Sequence, residues 1–109
     1  MKTTTSTPDN YTRETVAAVA AIIAEAEYMK NAYFWRSPMS AGARRSYERQ
    51  HTRAAVTWTE GGHTYTAAYT VRCTCGNIYA AGDYTRDGER TTLLAIRNSH
   101  KRMAAALGA

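Results

Sequence analysis

Two cysteines and one histidine are the residues of this chain that most resemble a metal or catalytic site. Cys73 and Cys75 are separated by one residue at the end of an alternating apolar and polar run, and His100 lies in a later segment of helical periodicity. Thiolate and imidazole are the ligands that zinc prefers, and structural zinc sites have four of them. No fourth ligand is suitably placed, so small buried thiols beside a core histidine are the favoured interpretation and zinc a subordinate one.

Cysteine catalysis would require a partly exposed thiol, an adjacent base and a third group that orients the base. Cys75 and His100 supply two of these, but the sequence positions no acid as the third. Phosphate-binding glycine loops, paired carboxylates and His-Glu metal motifs do not occur in the sequence. We therefore predict a protein without enzymatic activity and without a cofactor.

The basic residues provide the stronger functional hypothesis. The net charge of +5 is concentrated in residues 36–53, where five arginines accompany a single acid, and in residues 86–102. The planar guanidinium group suits phosphate, and arginine interleaved with aromatic residues is typical of nucleic-acid binding. We expect the two basic segments to lie together on the outside of the fold. The alternative is an ordinary solvated helix face in which Glu48 neutralises Arg44.

The predicted binding surface for nucleic acid or an acidic partner consists of ten residues from the two basic segments. They are Arg36, Arg44, Arg45, Tyr47, Arg49, Arg53, Arg86, Arg90, Arg97 and Lys101.

The elements that carry these residues begin with a predicted antiparallel sheet. From Ala54 to Ala81 the side chains alternate through three runs, broken at Gly61–Gly62 and at Gly76–Asn77, which predicts three consecutive strands. One face of the middle strand is apolar and includes both cysteines. The other face is threonine-rich and also carries Arg72 and Tyr79, so it is an exposed surface, a docking surface or an edge for strand addition.

Helical periodicity appears on both sides of the sheet. Thr7 and Pro8 are expected to begin a long helix that runs to about Asn31, and an aromatic cluster at residues 33–35 to plug the core before Ser37–Pro38. Ser40 could cap a shorter second helix to about Gln50. A last helix is expected from Asp87–Gly88, with one apolar stripe and one basic stripe. The apolar stripe is Leu93, Ile96, His100, Met103 and Leu107, and the basic stripe is Arg86, Arg90, Arg97 and Lys101.

Together these elements predict an α+β fold. It comprises a long N-terminal helix, a possible short second helix, a three-stranded antiparallel meander and a C-terminal helix packed on one sheet face. Residues 1–7 are expected to be a mobile leader and residues 8–109 a single domain. No apolar run reaches the roughly 20 residues of a bilayer span, so we expect a cytoplasmic protein.

The order helix, three strands, helix is similar to that of double-stranded RNA-binding domains, whose last helix presents basic residues to phosphates. The resemblance covers element order only. Those domains have a compact lysine cluster at the start of the final helix and a short link before the first strand, whereas here Arg90, Arg97 and Lys101 are spread out and the link is long.

Three functional hypotheses remain from the sequence. The first is a small non-enzymatic protein whose basic surfaces bind nucleic acid or a nucleoprotein complex. The second is a protein-directed inhibitor or adaptor of a mobile element, in the manner of anti-CRISPR proteins, that docks on a host protein. The third is a small structural zinc-binding domain built on Cys73, Cys75 and His100.

Overall fold

A computed structural model describes residues 9–30, 40–74 and 77–108, with only the backbone described for Thr74 and Asn77. It confirms the α+β class, with a long N-terminal helix and a C-terminal helix packed on the sheet. The elements are α1 (Arg13–Lys30), α2 (Ala41–His51), β1 (Arg53–Glu60), β2 (His63–Thr74), β3 (Asn77–Arg86), β4 (Glu89–Arg90) and α3 (Leu93–Ala106). The antiparallel sheet has the order β1-β2-β3-β4 and therefore one strand more than predicted. None of the described helices is long and apolar enough to cross a bilayer.

The predicted start of α1 at Pro8 is wrong, because a better cap occurs later. The Thr15 N–H donates to Thr12 Oγ1 at 3.2 Å, while the Thr12 N–H donates to Thr15 Oγ1 at 3.1 Å. This reciprocal arrangement satisfies donors that the first helical turn leaves free, so α1 begins at Arg13. Asn10 instead pairs with Thr59 across the outer edge of β1. The proposed Thr7–Pro8 cap and the expected leader lie outside the described residues.

The predicted turn between the first two strands is confirmed. Gly61 and Gly62 have φ values of +63° and +81°, which glycine adopts without steric cost, and they join β1 to β2 in a two-residue hairpin. Trp58 pairs with Tyr65, and the alternation predicted for β2 holds. Its buried face carries Tyr65, Ala67, Tyr69 and Val71. These side chains form one cluster with Val16, Val19 and Ile22 of α1 and with Ile96 and Met103 of α3.

The end of the sheet differs from the prediction, because Asp87 and Gly88 form a turn instead of beginning the last helix. Both have positive φ, and they connect β3 to the two-residue strand β4. The Asp87 carboxylate accepts the Thr64 N–H at 2.9 Å and lies 2.6 Å from His63 Nδ1. Both hydrogen bonds lower the pKa of Asp87, and the one with Thr64 contributes more than the one with His63. Helix α3 begins only after Thr92, whose hydroxyl caps it by accepting the Ala95 N–H.

Buried hydrogen bonds join α3 to the sheet through a carboxylate that the sequence analysis did not single out. Glu60, at the end of β1, is only 5% exposed. Its Oε1 accepts the Ser99 hydroxyl at 2.9 Å and its Oε2 accepts Arg102 Nε at 2.8 Å. Ser99 in turn accepts the indole N–H of Trp58 at 2.9 Å. Burial alone would raise the pKa of Glu60, but the hydrogen bonds from Arg102 and Ser99 and the Arg102 charge outweigh it and lower the pKa.

We predict that Glu60→Gln lowers the free energy of unfolding at pH 7 by about 1–3 kcal/mol, because it weakens a charge-assisted hydrogen bond to a buried group. Since the folded-state pKa of Glu60 is lowered, its contribution is complete above the ordinary glutamate pKa and is lost as pH falls through the folded value. The stability of Glu60→Gln should therefore decline less steeply below about pH 4 than that of the wild type. Urea unfolding from pH 7 to pH 3 measures both effects.

Glu89→Gln is the matched control, since Glu89 is exposed on β4 and undergoes the same chemical change. Its free energy of unfolding should stay within about 0.5 kcal/mol of the wild type. If Glu60→Gln and Glu89→Gln had equal free energies of unfolding and equal pH dependence, this would contradict a stabilising role for the buried hydrogen bonds of Glu60.

Candidate nucleic-acid interface

Helix α2 carries Arg44, Arg45 and Arg49 of the first basic segment, and none of its eleven residues is fully buried. Ser40 begins it, because its hydroxyl accepts the Ala43 N–H at 3.1 Å, and this confirms the predicted cap. The first turn of α2 contains no acidic residue, and the basic residues Arg44 and Arg45 lie close to it. The positive end of the helix dipole is therefore placed beside two cations.

A buried carboxylate of α1 anchors α2 at its other end. Glu25 is 8% exposed, and its two oxygens lie 2.6 Å from His51 Nδ1 and 3.1 Å from Arg53 Nη2. Tyr28 stacks parallel to the His51 ring, with 5.4 Å between ring centroids. Arg53 also donates to the Gln50 carbonyl at 2.5 Å. Arg53, predicted as a binding residue, is therefore committed to an internal ion pair.

Tyr47 is directed inward and not towards a binding partner. Its hydroxyl contacts Met29 Sδ at 3.1 Å, and its ring centroid lies 4.1 Å from that of His51. Burial, with smaller contributions from Tyr28 and Glu25, raises the pKa of Tyr47 to about 12. The side chain therefore holds α2 on the fold, although the sequence predicted it as part of the binding surface.

Arg45 and Arg49 are the α2 arginines that face solvent. They are one helical turn apart and both exposed, and neither forms an ion pair with another residue in the described part of the chain. Arg44 is half-buried, and its Nε has no hydrogen-bond partner among the described residues. No ion pair joins Arg44 to Glu48 in this part of the chain, so the neutralisation considered from the sequence is not present there. Arg36 lies outside the described residues.

The second basic segment does not form the helical stripe that was predicted. Arg86 is on β3, directly opposite Tyr65, and Arg90 is on β4, opposite Thr85, so neither belongs to α3. Arg97 is on α3 but forms an ion pair with Glu27 of α1. Lys101 is exposed on α3. The prediction failed because a helical wheel extrapolates one geometry across residues 86–92, where the chain forms a hairpin.

Arg86 and Arg90 also lie at the other end of the sheet from α2, so these two residues do not share one surface with it as was expected. The residue that follows α2, Thr52, contacts the backbone of Val71 near the end of β2, with its hydroxyl 3.2 Å from the Val71 nitrogen. Arg86 pairs instead with Tyr65 near the start of β2. Six residues of strand separate these positions, or about 20 Å at roughly 3.3 Å per residue.

The two candidate zinc ligands that the structure describes, Cys73 and His100, are placed against different helices. Cys73 lies near Glu48 and Arg44 of α2, whereas His100 lines a groove between α1 and α3 with Ala20 and Ile23. Cys75 lies outside the described residues. Within residues 9–30, 40–74 and 77–108, no three His, Cys, Asp or Glu side chains lie together as metal ligands.

The sequence identified Arg72 and Tyr79 only as members of the polar face of the sheet, and not as a pair. Arg72 and Tyr79 are directly opposite each other on β2 and β3, on the face that the described helices leave uncovered. Tyr79 is 58% exposed, and both side chains line a shallow hollow with Thr70 and Ala81. The pairing of an aromatic residue with an arginine follows from the strand register, which the alternation of the sequence alone did not specify.

Comparisons of this chain with protein-family models, with curated proteins and with solved structures found no match.

We predict that Cys73 reacts slowly with iodoacetamide. Burial, with a smaller contribution from Glu48 that exceeds the opposing effect of Arg44, raises the pKa of its thiol and so reduces the reactive thiolate at pH 8. The measurement is the alkylation rate of the Cys75→Ser variant, in which Cys73 is the remaining thiol. Its rate when folded should be several-fold lower than in urea. Equal rates would contradict the burial of this thiol and reopen a nucleophilic role.

Proposed function

We propose that this protein is a small non-enzymatic binding protein that contacts the phosphate backbone of nucleic acid through α2. The observation that carries the proposal is the exposure of Arg45 and Arg49, one turn apart, on a helix whose first turn has no acid. Like charges four residues apart destabilise an isolated helix by about 0.2–0.5 kcal/mol, and cations beside the helix N-terminus add about 0.3–1 kcal/mol. A bound phosphate would relieve both effects.

The way in which α2 is held supports this proposal. Helix α2 has no fully buried residue, and its attachment depends on half-buried side chains and on the contacts of Glu25 with His51 and Arg53. The acidic group is thus buried beneath the helix, whereas Arg45 and Arg49 are on its outer surface. A backbone-directed contact of this kind gives affinity without sequence specificity.

The test is the salt dependence of binding to fluorescent single-stranded and duplex oligonucleotides. In Arg45→Ala/Arg49→Ala, the slope of log K against log salt concentration should fall by about 2, since each phosphate contact contributes about 1. Arg86→Ala/Arg90→Ala is the matched control, because it removes two exposed arginines from the opposite end of the sheet. Its slope should remain close to that of the wild type.

Two results would contradict the proposal. Absence of binding at low salt would reject nucleic acid as the partner. Equal losses in the two double variants would show that net charge, and not the α2 surface, determines the affinity. Comparison of DNA with RNA in the same assay identifies the preferred polymer.

A second candidate function is that of a protein-directed inhibitor or adaptor, and the uncovered sheet face favours it. Tyrosine and arginine are enriched at the energetic centres of protein interfaces, and Tyr79 and Arg72 are adjacent and exposed on this face. A pull-down from nuclease-treated lysate would support this function if a complex survives high salt and is lost in Tyr79→Ala. Loss of all captured protein after nuclease treatment would favour the first function.

A further inference from the structure

One edge of strand β3 is not covered by any described element between residues 78 and 83, and we call it the open edge. Strand β3 pairs with β2 along its length, but on its other side β4 pairs only with Thr85 and Arg86. The Thr91 N–H then donates to the Tyr84 carbonyl at 2.9 Å. Between residues 78 and 83, no described strand pairs with this edge.

The backbone groups directed to the open edge follow from the Tyr84 contact. In an antiparallel sheet the N–H and C=O of one residue point to the same neighbouring strand, and successive residues alternate between neighbours. Because the Tyr84 carbonyl points away from β2, the backbone groups of Ile78, Ala80 and Gly82 do so as well. These three residues present three donors and three acceptors.

This edge lacks the features that prevent an edge strand from pairing with a strand of another molecule. Residues 78–82 contain no lysine, no proline and no charged side chain, and the β2–β3 register is continuous through them. On the opposite edge of the sheet, an isolated bridge joins Asn10 to Thr59 of β1.

We propose that the open edge of β3 binds a second copy of this chain, in an antiparallel two-fold arrangement centred on Ala80. The available backbone groups at 78, 80 and 82 are symmetric about residue 80, so this arrangement pairs all of them. Ala80 pairs with Ala80 of the partner copy, and Ile78 pairs with Gly82 of the partner copy. Backbone pairing alone would suit any strand, and it is the side chains and charges in this register that favour a second copy.

The side chains are complementary in the same register. On the helix-facing side, Ile78 lies opposite Gly82 of the partner copy. The Tyr84 ring fills the space that a Cβ of Gly82 would need, so Ile78 would contact that ring. On the other side, Tyr79 lies opposite Ala81 of the partner copy. Beneath β3, a groove of about 380 Å³ lined by Met29, Ile78, Gly82 and Tyr84 has room for an incoming apolar side chain.

The charges at the ends of the edge favour the antiparallel orientation. Arg72 lies beside Tyr79 at one end, and Asp83 lies at the other; both are exposed, and neither forms an ion pair with another described residue. An antiparallel partner brings Asp83 of each copy towards Arg72 of the other on the outer face, whereas a parallel partner would place Asp83 beside Asp83.

Sedimentation equilibrium of the nuclease-treated full chain tests the proposal. The wild type should dimerise with a dissociation constant in the range of about 1–100 μM. Ala81→Lys should weaken dimerisation at least tenfold, because it places lysines close to the two-fold axis. Ala105→Lys adds the same charge on the exposed face of α3 and should leave it unchanged. Circular dichroism reports whether each variant remains folded.

The register has its own test in Tyr79→Glu/Ala81→Lys. In the proposed register the new carboxylate of each copy lies opposite the new ammonium of the other, so dimerisation should return to within about threefold of the wild type. A wild type that remains monomeric at about 100 μM would overturn the proposal. So would a dimer that Ala81→Lys leaves intact, and failure of the double variant to restore dimerisation would overturn the register.

Discussion

The buried carboxylate of Glu60 is the constraint on which the arrangement of α3 and the sheet depends. An ionised carboxylate removed from water is costly unless it is fully hydrogen-bonded, and both partners of Glu60, Ser99 and Arg102, come from α3. These partners are three residues apart and therefore share one helix face. Ser99 also accepts the Trp58 indole, so the position and rotation of α3 are linked to β1 by directional bonds.

A second buried carboxylate has the same role for α2. Glu25 of α1 binds His51 and Arg53 at the junction of α2 and β1. Together the two carboxylates engage Arg53 and Arg102, and Glu27 engages Arg97. Acidic residues in the interior and between the helices thus decide which arginines remain available to a partner. On α2, Arg45 and Arg49 remain available to a partner. The number of arginines in each segment therefore overestimated the size of the candidate interface.

The parts of the fold that were predicted correctly rest on local patterns. Alternating side chains identified β1 and β2, Gly61–Gly62 identified their turn, and Ser40 identified the start of α2. The errors arose where two local signals were compatible with the same residues. Pro8 and Thr12 can each begin a helix. An Asp-Gly pair can form either a hairpin turn between two strands or a turn that leads into a helix. The contacts with Thr64 and His63 place Asp87 in a hairpin.

The amino-acid sequence by itself determined the α+β class, the buried faces of α1 and β2 and the overall positive charge, because periodicity and composition depend only on neighbours along the chain. Only the tertiary structure decided which charges are paired, since Glu25 and Arg53 or Glu60 and Arg102 meet across long sequence separations. It also placed Arg86 and Arg90 at the other end of the sheet from α2. Strand register and helix packing set those distances, and neither is encoded in the spacing of the arginines themselves.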